Sequence, residues 1–481
     1  MSEHRVPNLI AGERVHGDQP LEVTHPYDDS PAGTTTYATP DQVERAVAHA
    51  AGLAGEGARL PVHARADALT AISEAIKANA DELAELITAE NGKPMMWSRA
   101  EVGRAVSVFR WAAEETRQQG GEVMRLDTDA AAEGRLAYVR HVPIGPVLAI
   151  SPFNFPLNLV AHKVAPAIAV GAPVVLKPAP KTPLSGLRLG ELIAETDLPP
   201  GFVQVLNVKN EEAGSLVDDP RLPVVSFTGS GPVGYAIRDQ VPGKHVVLEL
   251  GGNAAVYVAS DYASEADLDW ASTRIANFSN YQAGQSCIGV QRVFADASLY
   301  EDLKARVVEK VAALVTGDPR DEKTFVGPMI EEAAAERVEQ WVTAAQGLGA
   351  SVLTGGHRDF TTYAPTVLEG VPHEAKASCE EVFGPVLLLE SVEGDEAGLA
   401  AINDSKFGLQ AGVFTHDLQL AFRAQRELEV GGVIIGDAPS YRADQMPYGG
   451  VKDSGVGREG IRYTMTDFTY ERVMVLTGLD L

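Results

Sequence analysis

An α/β fold with two parallel, doubly wound sheets and a small β element is what this sequence predicts, and three observations predict it. Between residues 147 and 250, short apolar runs alternate with helical stretches, the punctuation of βαβ units. Beyond Gly251 a second series of the same kind begins. Between residues 120 and 140 the chain alternates in polarity and has few large apolar side chains, the pattern of an exposed strand pair.

In chain order, residues 1–40 are rich in Pro, Gly, Thr and Asp and read as strands and turns at a surface. From Asp41, the residues Val43, Ala46, Val47 and Ala50 recur at helical spacing; after Pro61 a second stripe runs from Ala66 through Leu69, Ile72 and Ile76 to Ile87; a third helix covers roughly 99–118. Three helices are therefore expected before any buried strand. Strands follow over 147–150, 174–176, 203–206, 224–227 and 246–250, with helices over 157–170 and 184–195 between them. The second series places strands near 254–258, 290–295, 386–390 and 433–436, and an amphipathic helix carrying Leu268, Ala271, Ile275 and Phe278. The tail, 469–481, holds an apolar run from Val473 to Leu476 that could join the sheet of the 120–140 excursion. Exposed edges there favour pairing with another chain.

A chain of 481 residues exceeds one ordinary core. Mean hydropathy is near zero and no run of about 18 uncharged apolar residues exists, so no membrane span is expected. The first 18 residues are polar and lack an apolar signal core, which suggests a cytoplasmic protein. Net charge is −26, from 66 acidic and 40 basic residues; this repels a phosphate backbone and anionic lipid, so nucleic acid and membranes are not expected partners. An anionic substrate would have to be met by a local basic site. With only two cysteines, Cys287 and Cys379, there is no disulfide framework and no Cys-x-x-Cys metal site, and no metal is expected.

The chemistry concentrates at glycine-marked ends of elements. Ligands of doubly wound sheets bind beyond the carboxyl ends of the strands, where Ser151 to Pro156, Lys177 to Pro180 and Thr228 to Gly234 fall. Gly229 and Gly234 bracket a turn that opens a helix, so backbone N–H groups and the helix dipole can receive a pyrophosphate. Lys177, at a strand end beside that loop, has a plausible ribose or phosphate partner. Asn154, in a rigid turn between Pro152 and Pro156, could donate to a developing oxyanion, although asparagine is also a common turn former. Glu381 precedes an apolar strand, a position where a surface glutamate is the default. Glu249 and Cys287 supply a carboxylate and a thiol, the pair that a covalent mechanism with a water-activating base needs. Cys287 would have to be partly exposed and readily ionised. Cys379 is followed by Glu380 and Glu381, whose charges oppose thiolate formation, so Cys287 is the preferred nucleophile.

Taken together, these residues resemble the NAD(P)-dependent aldehyde dehydrogenase superfamily over almost the whole chain. Phe153-Asn154, Lys177, Gly229 to Gly234, Glu249-Leu250-Gly251-Gly252, Gly284-Gln285-Ser286-Cys287, Glu381-Val382-Phe383-Gly384-Pro385 and Pro447-Tyr448-Gly449-Gly450-Val451-Lys452-Asp453-Ser454-Gly455 stand in the family's order. The resemblance implies that Cys287 attacks an aldehyde carbonyl, that the Asn154 amide and the Cys287 N–H hold the oxyanion, and that Glu249 activates water against the resulting thioester. It places Lys177 and Glu381 on the two riboses, Phe383 beside the nicotinamide, Ser151, Phe153, Ser230, Leu250 and Gly251 around the cofactor, and Lys163 near the active site. Where NAD-preferring members carry a glutamate, this chain has Pro180 followed by Lys181; loss of that carboxylate leaves room for a 2′-phosphate that Lys181 could help neutralise, so NAD or NADP is expected.

The implied domains are a dinucleotide-binding one over 1–119 and 141–250, a catalytic one over 251–440, and an oligomerisation β element over 120–140 and 462–481 in a homodimer or homotetramer. The branch that looks most similar contains lactaldehyde, succinate semialdehyde, sulfolactaldehyde and phosphonoacetaldehyde dehydrogenases. Ser286 stands where glyceraldehyde 3-phosphate members usually carry arginine. Arg442, next to Tyr441, together with Arg104 and His162 could form the anion site that a small polar or anionic aldehyde needs. A cofactor-independent thiol esterase and a noncatalytic protein of the same fold are the alternatives.

Overall fold

The computed structural model describes residues 5–480; positions 1–4 and 481, the outer ends of the expected first domain and β element, lie outside it. Two sheets dominate. The first has eight strands, and its five parallel central strands stand in the spatial order Val203–Val205, Val174–Lys177, Val147–Ile150, Val224–Thr228, His245–Glu249. Numbered along the chain this order is 3-2-1-4-5, so the winding direction reverses between Val147–Ile150 and Val224–Thr228, and a crevice opens beyond their carboxyl ends. The register levels those ends: Ile150 lies beside Lys177 and Thr228 beside Glu249. Each of these strands is apolar because helices cover both faces of the sheet.

The second sheet has seven strands, six of them parallel, running from Thr366–Glu369 through Val386–Val392, Arg292–Asp296, Ala255–Val258 and Gln410–Phe414 to Gly432–Ile435. Only five residues separate Glu249, the last residue of the first sheet's final central strand, from Ala255, which opens the second sheet. The Glu249 segment is therefore the bridge between the sheets. A third sheet joins Glu122–Arg125, Arg135–Pro143 and Thr469–Thr477. The tail strand pairs along its whole length with the excursion, through Tyr470↔Val142 and Val475↔Ala137.

Two expectations are corrected. A buried strand, Asn8–Ile10, precedes every helix and extends the first sheet beyond Val203–Val205; three residues are too few to show a periodicity. Four helices follow it, not three, because the long stripe after Pro61 breaks at Asn79 into Val62–Ala78 and Ala80–Asn91. Among the described residues no helix is long and apolar enough to cross a membrane.

Candidate active site

The crevice at the switch point is a cavity of about 920 Å³. Ser151, Phe153 and Asn154, and Thr228, Gly229 and Ser230, at the ends of two adjacent strands, line it together with Leu250, Gly251, Glu381 and Phe383. The hydroxyls of Ser151 and Thr228 are buried and have no partner among the described residues, so they are free for a ligand. Gly229 is needed because a Cβ there would lie 2.6 Å from the Phe227 ring. The helix Gly231–Gln240 starts here with no side-chain cap, its first N–H groups open. Gly234 plays a different part from the one expected: it does not line the cavity, and a Cβ on it would meet Leu250 Cδ2 at 2.5 Å, so it lets the helix pack closely on the bridge.

Lys177 is not a solvated tether but a buried lysine whose Nζ donates to Asn210 Oδ1 at 2.9 Å, and burial pushes its pKa down to about 8. Glu381 is not a surface residue either. It accepts the Gly252 N–H at 3.0 Å, and burial pushes its carboxyl up to about 7. Phe383 packs edge-on against Phe153 with ring centroids 5.9 Å apart. Pro180 lines both this cavity and an adjoining groove of about 520 Å³, whereas Lys181 lines only the groove and pairs with Glu331 at 2.8 Å.

A second cavity of about 240 Å³ meets the first at Cys287. The chain reaches Cys287 through a constrained turn: after the helix Glu265–Asn280, Gln282 and Ala283 both hold φ near +52°, followed by Gly284 at +68°. Each left-handed non-glycine residue costs roughly 1–2 kcal/mol. The bridge holds this loop in place, since Gly252 approaches so closely that a Cβ would sit 2.7 Å from the Cys287 carbonyl oxygen. Cys287 Sγ lies 2.9 Å from the Tyr448 hydroxyl. Burial pushes the thiol up to about 12, with the Tyr448 hydrogen bond opposing the shift, so the readily ionised thiol expected from the sequence is not what this geometry shows. Asn154 Nδ2 donates one hydrogen to the Gln285 carbonyl at 3.0 Å and has no second acceptor among the described residues; Asn154 and Cys287 line the same larger cavity. Ser286 shares a hydrogen bond with Tyr281 on the wall of the smaller cavity.

Three arginines line that smaller cavity: Arg104, Arg274 and Arg442. Arg104 is one-third exposed and pairs with Asp444 at 2.9 Å. Arg442 is buried, pairs with Glu459 at 3.0 Å, stacks 3.8 Å above the Tyr448 ring, and leaves its Nε without a partner. His162 does not belong with them. It is buried behind Arg442 and Asp444, and burial together with the Arg442 charge pushes it down to about 4, so it is neutral at neutral pH. Tyr441 is half exposed at the cavity's edge. Lys163 lines neither cavity: its Nζ donates to Ser226 Oγ at 3.0 Å and lies 3.5 Å from Glu459. Glu249 is buried on the larger cavity with both carboxyl oxygens unpartnered, and burial plus the nearby Glu459 charge raise it well above the usual carboxylate range.

The sequence profile of the Aldehyde dehydrogenase family matches residues 14–474. The chain belongs to the aldehyde dehydrogenase family. It oxidises an aldehyde to the carboxylic acid with NAD or NADP as hydride acceptor. It is similar to the 3-sulfolactaldehyde dehydrogenase of Priestia aryabhattai, 42% identical over 468 residues that make up 97% of each chain. Aldehyde dehydrogenase 21 from Physcomitrella patens, solved with the reaction product succinate, superposes with a TM-score of 0.97 at 42% identity over 99% of each chain. The glyceraldehyde-3-phosphate dehydrogenase GapN from Methanocaldococcus jannaschii, solved with NADP, superposes with a TM-score of 0.91 at 33% identity over 96% of this chain and 100% of that one.

In this aldehyde dehydrogenase, several site residues escape sequence reasoning. Tyr448 sits in the quoted Pro447 to Gly455 motif, but nothing local says that its hydroxyl reaches a thiol across 161 positions. Glu459, buried between Lys163 and Arg442, lies outside every motif. Arg274 stands just before Ile275 in the helical stripe of Leu268, Ala271, Ile275 and Phe278 and resembles an ordinary surface charge. Its guanidinium stacks on Phe278 at 4.2 Å and is held by Asp437, which aims it at the cavity.

Proposed function

We propose that the substrate is a small aldehyde with an anionic group at its far end, and that Cys287 and Glu249 divide the chemistry. The observation that carries this reading is the unpartnered Nε of Arg442 on a cavity that ends at Cys287, with Arg104 and Arg274 on the same wall. A buried guanidinium with an open N–H favours a carboxylate or sulfonate partner. The relatives agree: one is named for sulfolactaldehyde, and a second was solved with the dianion succinate.

In this scheme the aldehyde carbon meets Cys287 Sγ, and a C–S bond forms as the carbonyl π bond breaks and the thiol proton passes to solvent water. The carbonyl oxygen, becoming an oxyanion, is received by the free Asn154 N–H and the Cys287 backbone N–H. NAD(P)+, when bound, accepts the hydride that turns the cysteine adduct into a thioester. Lys177 and Glu381 would hold its riboses, and Ser151, Thr228, Gly229 and the start of Gly231–Gln240 its phosphates. Glu249 then takes a proton from water as that water attacks the thioester, releasing the acid and Cys287. A carboxyl raised toward neutral pH is a better base for this step than an ordinary one. Tyr448 orients the sulfur and donates to it as charge develops.

The third sheet fits a homo-oligomer. Val473, Met474, Val475 and Leu476 are all exposed on its edge strand, and an exposed apolar run on a sheet edge gains from a cover. Light scattering on the purified protein tests this; a monomer at micromolar concentration would remove the assignment. Two unpaired cysteines fit a reducing compartment such as the cytoplasm.

NAD(P)H formation should be followed with a panel of short aldehydes, anionic and neutral, and with both cofactors. Anionic aldehydes are expected to lead in kcat/KM, and neutral ones of equal length leading instead would overturn the substrate reading. Because Pro180 brings no carboxylate to the adenosine ribose, NADP should be used measurably. A preference for NAD above about a thousandfold would remove that expectation.

A further inference from the structure

A third cavity, of about 770 Å³, lies far from the chemistry, between the loop joining the first two helices and the third sheet. Arg59, Arg65, Arg140 and Arg472 line it, and no aspartate or glutamate does. In a chain of net charge −26 this is a local inversion of sign. Among the described residues none of these four arginines has a carboxylate within ion-pair distance, although sixteen other arginines do.

The backbone adds to the same field. The helix Val62–Ala78 begins at this cavity behind Pro61, with no side-chain cap and no acidic residue in its first turn. Arg65 stands at that positive helix end, where a cation is unfavourable and an anion is favoured. One guanidinium nitrogen of Arg65 donates to the Ala169 carbonyl at the end of a neighbouring helix, while its Nε is buried without a partner. Burial and the nearby Arg140 charge both push Arg65 down from its ordinary value, the sign of like charges gathered without a counter-charge between them. Leu60, Val142, Ile144 and the Tyr470 ring give the rest of the wall an apolar character.

We propose that this cavity is a second anion site, separate from the substrate and cofactor cavities, that takes a small multivalent oxyanion of the phosphate-ester or pyrophosphate class. Four cations and an uncapped helix start exceed what one carboxylate needs, and the volume admits a carbon skeleton beside the charged groups. Two of its arginines, Arg140 and Arg472, belong to neighbouring strands paired directly at those positions. A bound anion would therefore tie the third sheet to the helix Val62–Ala78.

The test is calorimetric titration of the whole protein with pyrophosphate and, separately, with fructose 1,6-bisphosphate. NADP+ is kept saturating so that the cofactor cavity is filled, and ionic strength is held constant. Wild-type protein should bind at least one of the two, and the double variant Arg140→Gln/Arg472→Gln should weaken that binding by about tenfold or more while its aldehyde oxidation stays unchanged. Tighter binding of the sugar bisphosphate would mean that the apolar wall contributes; tighter binding of pyrophosphate would mean that charge alone selects. No binding of either, or equal binding by the variant, overturns the proposal. A second measurement uses wild-type protein only: pyrophosphate should protect Arg140 and Arg472 from phenylglyoxal, read by peptide mass spectrometry, and unprotected labelling counts against the site.

Discussion

The two cavities that meet at Cys287 are built in opposite ways. The larger is made by one sheet's strand ends and the turns that follow them, so its shape comes from backbone: a glycine under Phe227, an uncapped helix start, a level register of carboxyl ends. The smaller is made by side chains from separate places, Arg104 from a helix before the first sheet's central strands, Arg274 from the helix before Cys287, and Arg442 and Tyr448 from a loop far along the chain. A backbone-built cavity suits a ligand that does not vary. A side-chain-built cavity can be retuned by single substitutions, which is why the proposed anion selectivity is assigned to it.

Changes at the junction should affect both cavities, and the largest effect is expected there. Cys287→Ala should lower kcat by about 10⁴-fold or more; residual turnover near wild type would place the nucleophile elsewhere. Glu249→Gln comes next, with a fall of roughly 10²–10⁴-fold in steady-state turnover but a retained burst of one NAD(P)H per site, because thioester formation does not use the carboxylate. Rapid-quench or stopped-flow absorbance checks this, and loss of the burst would give Glu249 an earlier role.

The division of labour itself is sharpened by Arg104→Gln, which should raise KM for anionic aldehydes by roughly tenfold and leave neutral aldehydes and both cofactors unaffected. An equal rise for neutral aldehydes would mean that the smaller cavity is merely a packing surface. The smallest expected effect is on pH dependence. Glu249 must be ionised to accept a proton, and burial with the Glu459 charge raises it, so the acid limb of kcat should lie above the ordinary carboxylate range. Glu459→Gln removes the like charge and leaves Lys163 and Arg442 facing Glu249, so the limb should move to lower pH. A limb that stays in place or moves up would show that another group controls it. Tyr448→Phe should slow alkylation of Cys287 at a given pH, since the thiolate loses a donor 2.9 Å away.

The helical stripes, the two βαβ series and the glycine-marked turns were legible because each depends on neighbours within a few positions. The strand pair at 120–140 and the apolar run of the tail were legible for the same reason, whereas the pairing of the two, across more than three hundred positions, was left open by the sequence and decided by the fold. The short strand Asn8–Ile10 was not, since its burial comes from pairing with a strand almost two hundred residues away. The two carboxylates with corrected surroundings make the same point. Glu381 looked like a surface residue until the bridge brought Gly252 onto it, and Glu249 owes its raised pKa first to burial and then to the charge of a glutamate 210 positions later.

By itself, then, the sequence determined the local geometry: which segments are strands, where the turns open, and which thiol and carboxylate stand at their ends. Only the tertiary structure decided the charge states and the company those groups keep. It set a partly exposed Cys287 beside Tyr448, neutralised His162, placed Arg442 against Glu459, and gathered four arginines with no carboxylate partner among the described residues in a separate cavity. The reason is physical. Backbone preference is a short-range property of consecutive residues, whereas desolvation and Coulomb interactions depend on distance in space, which folding alone establishes.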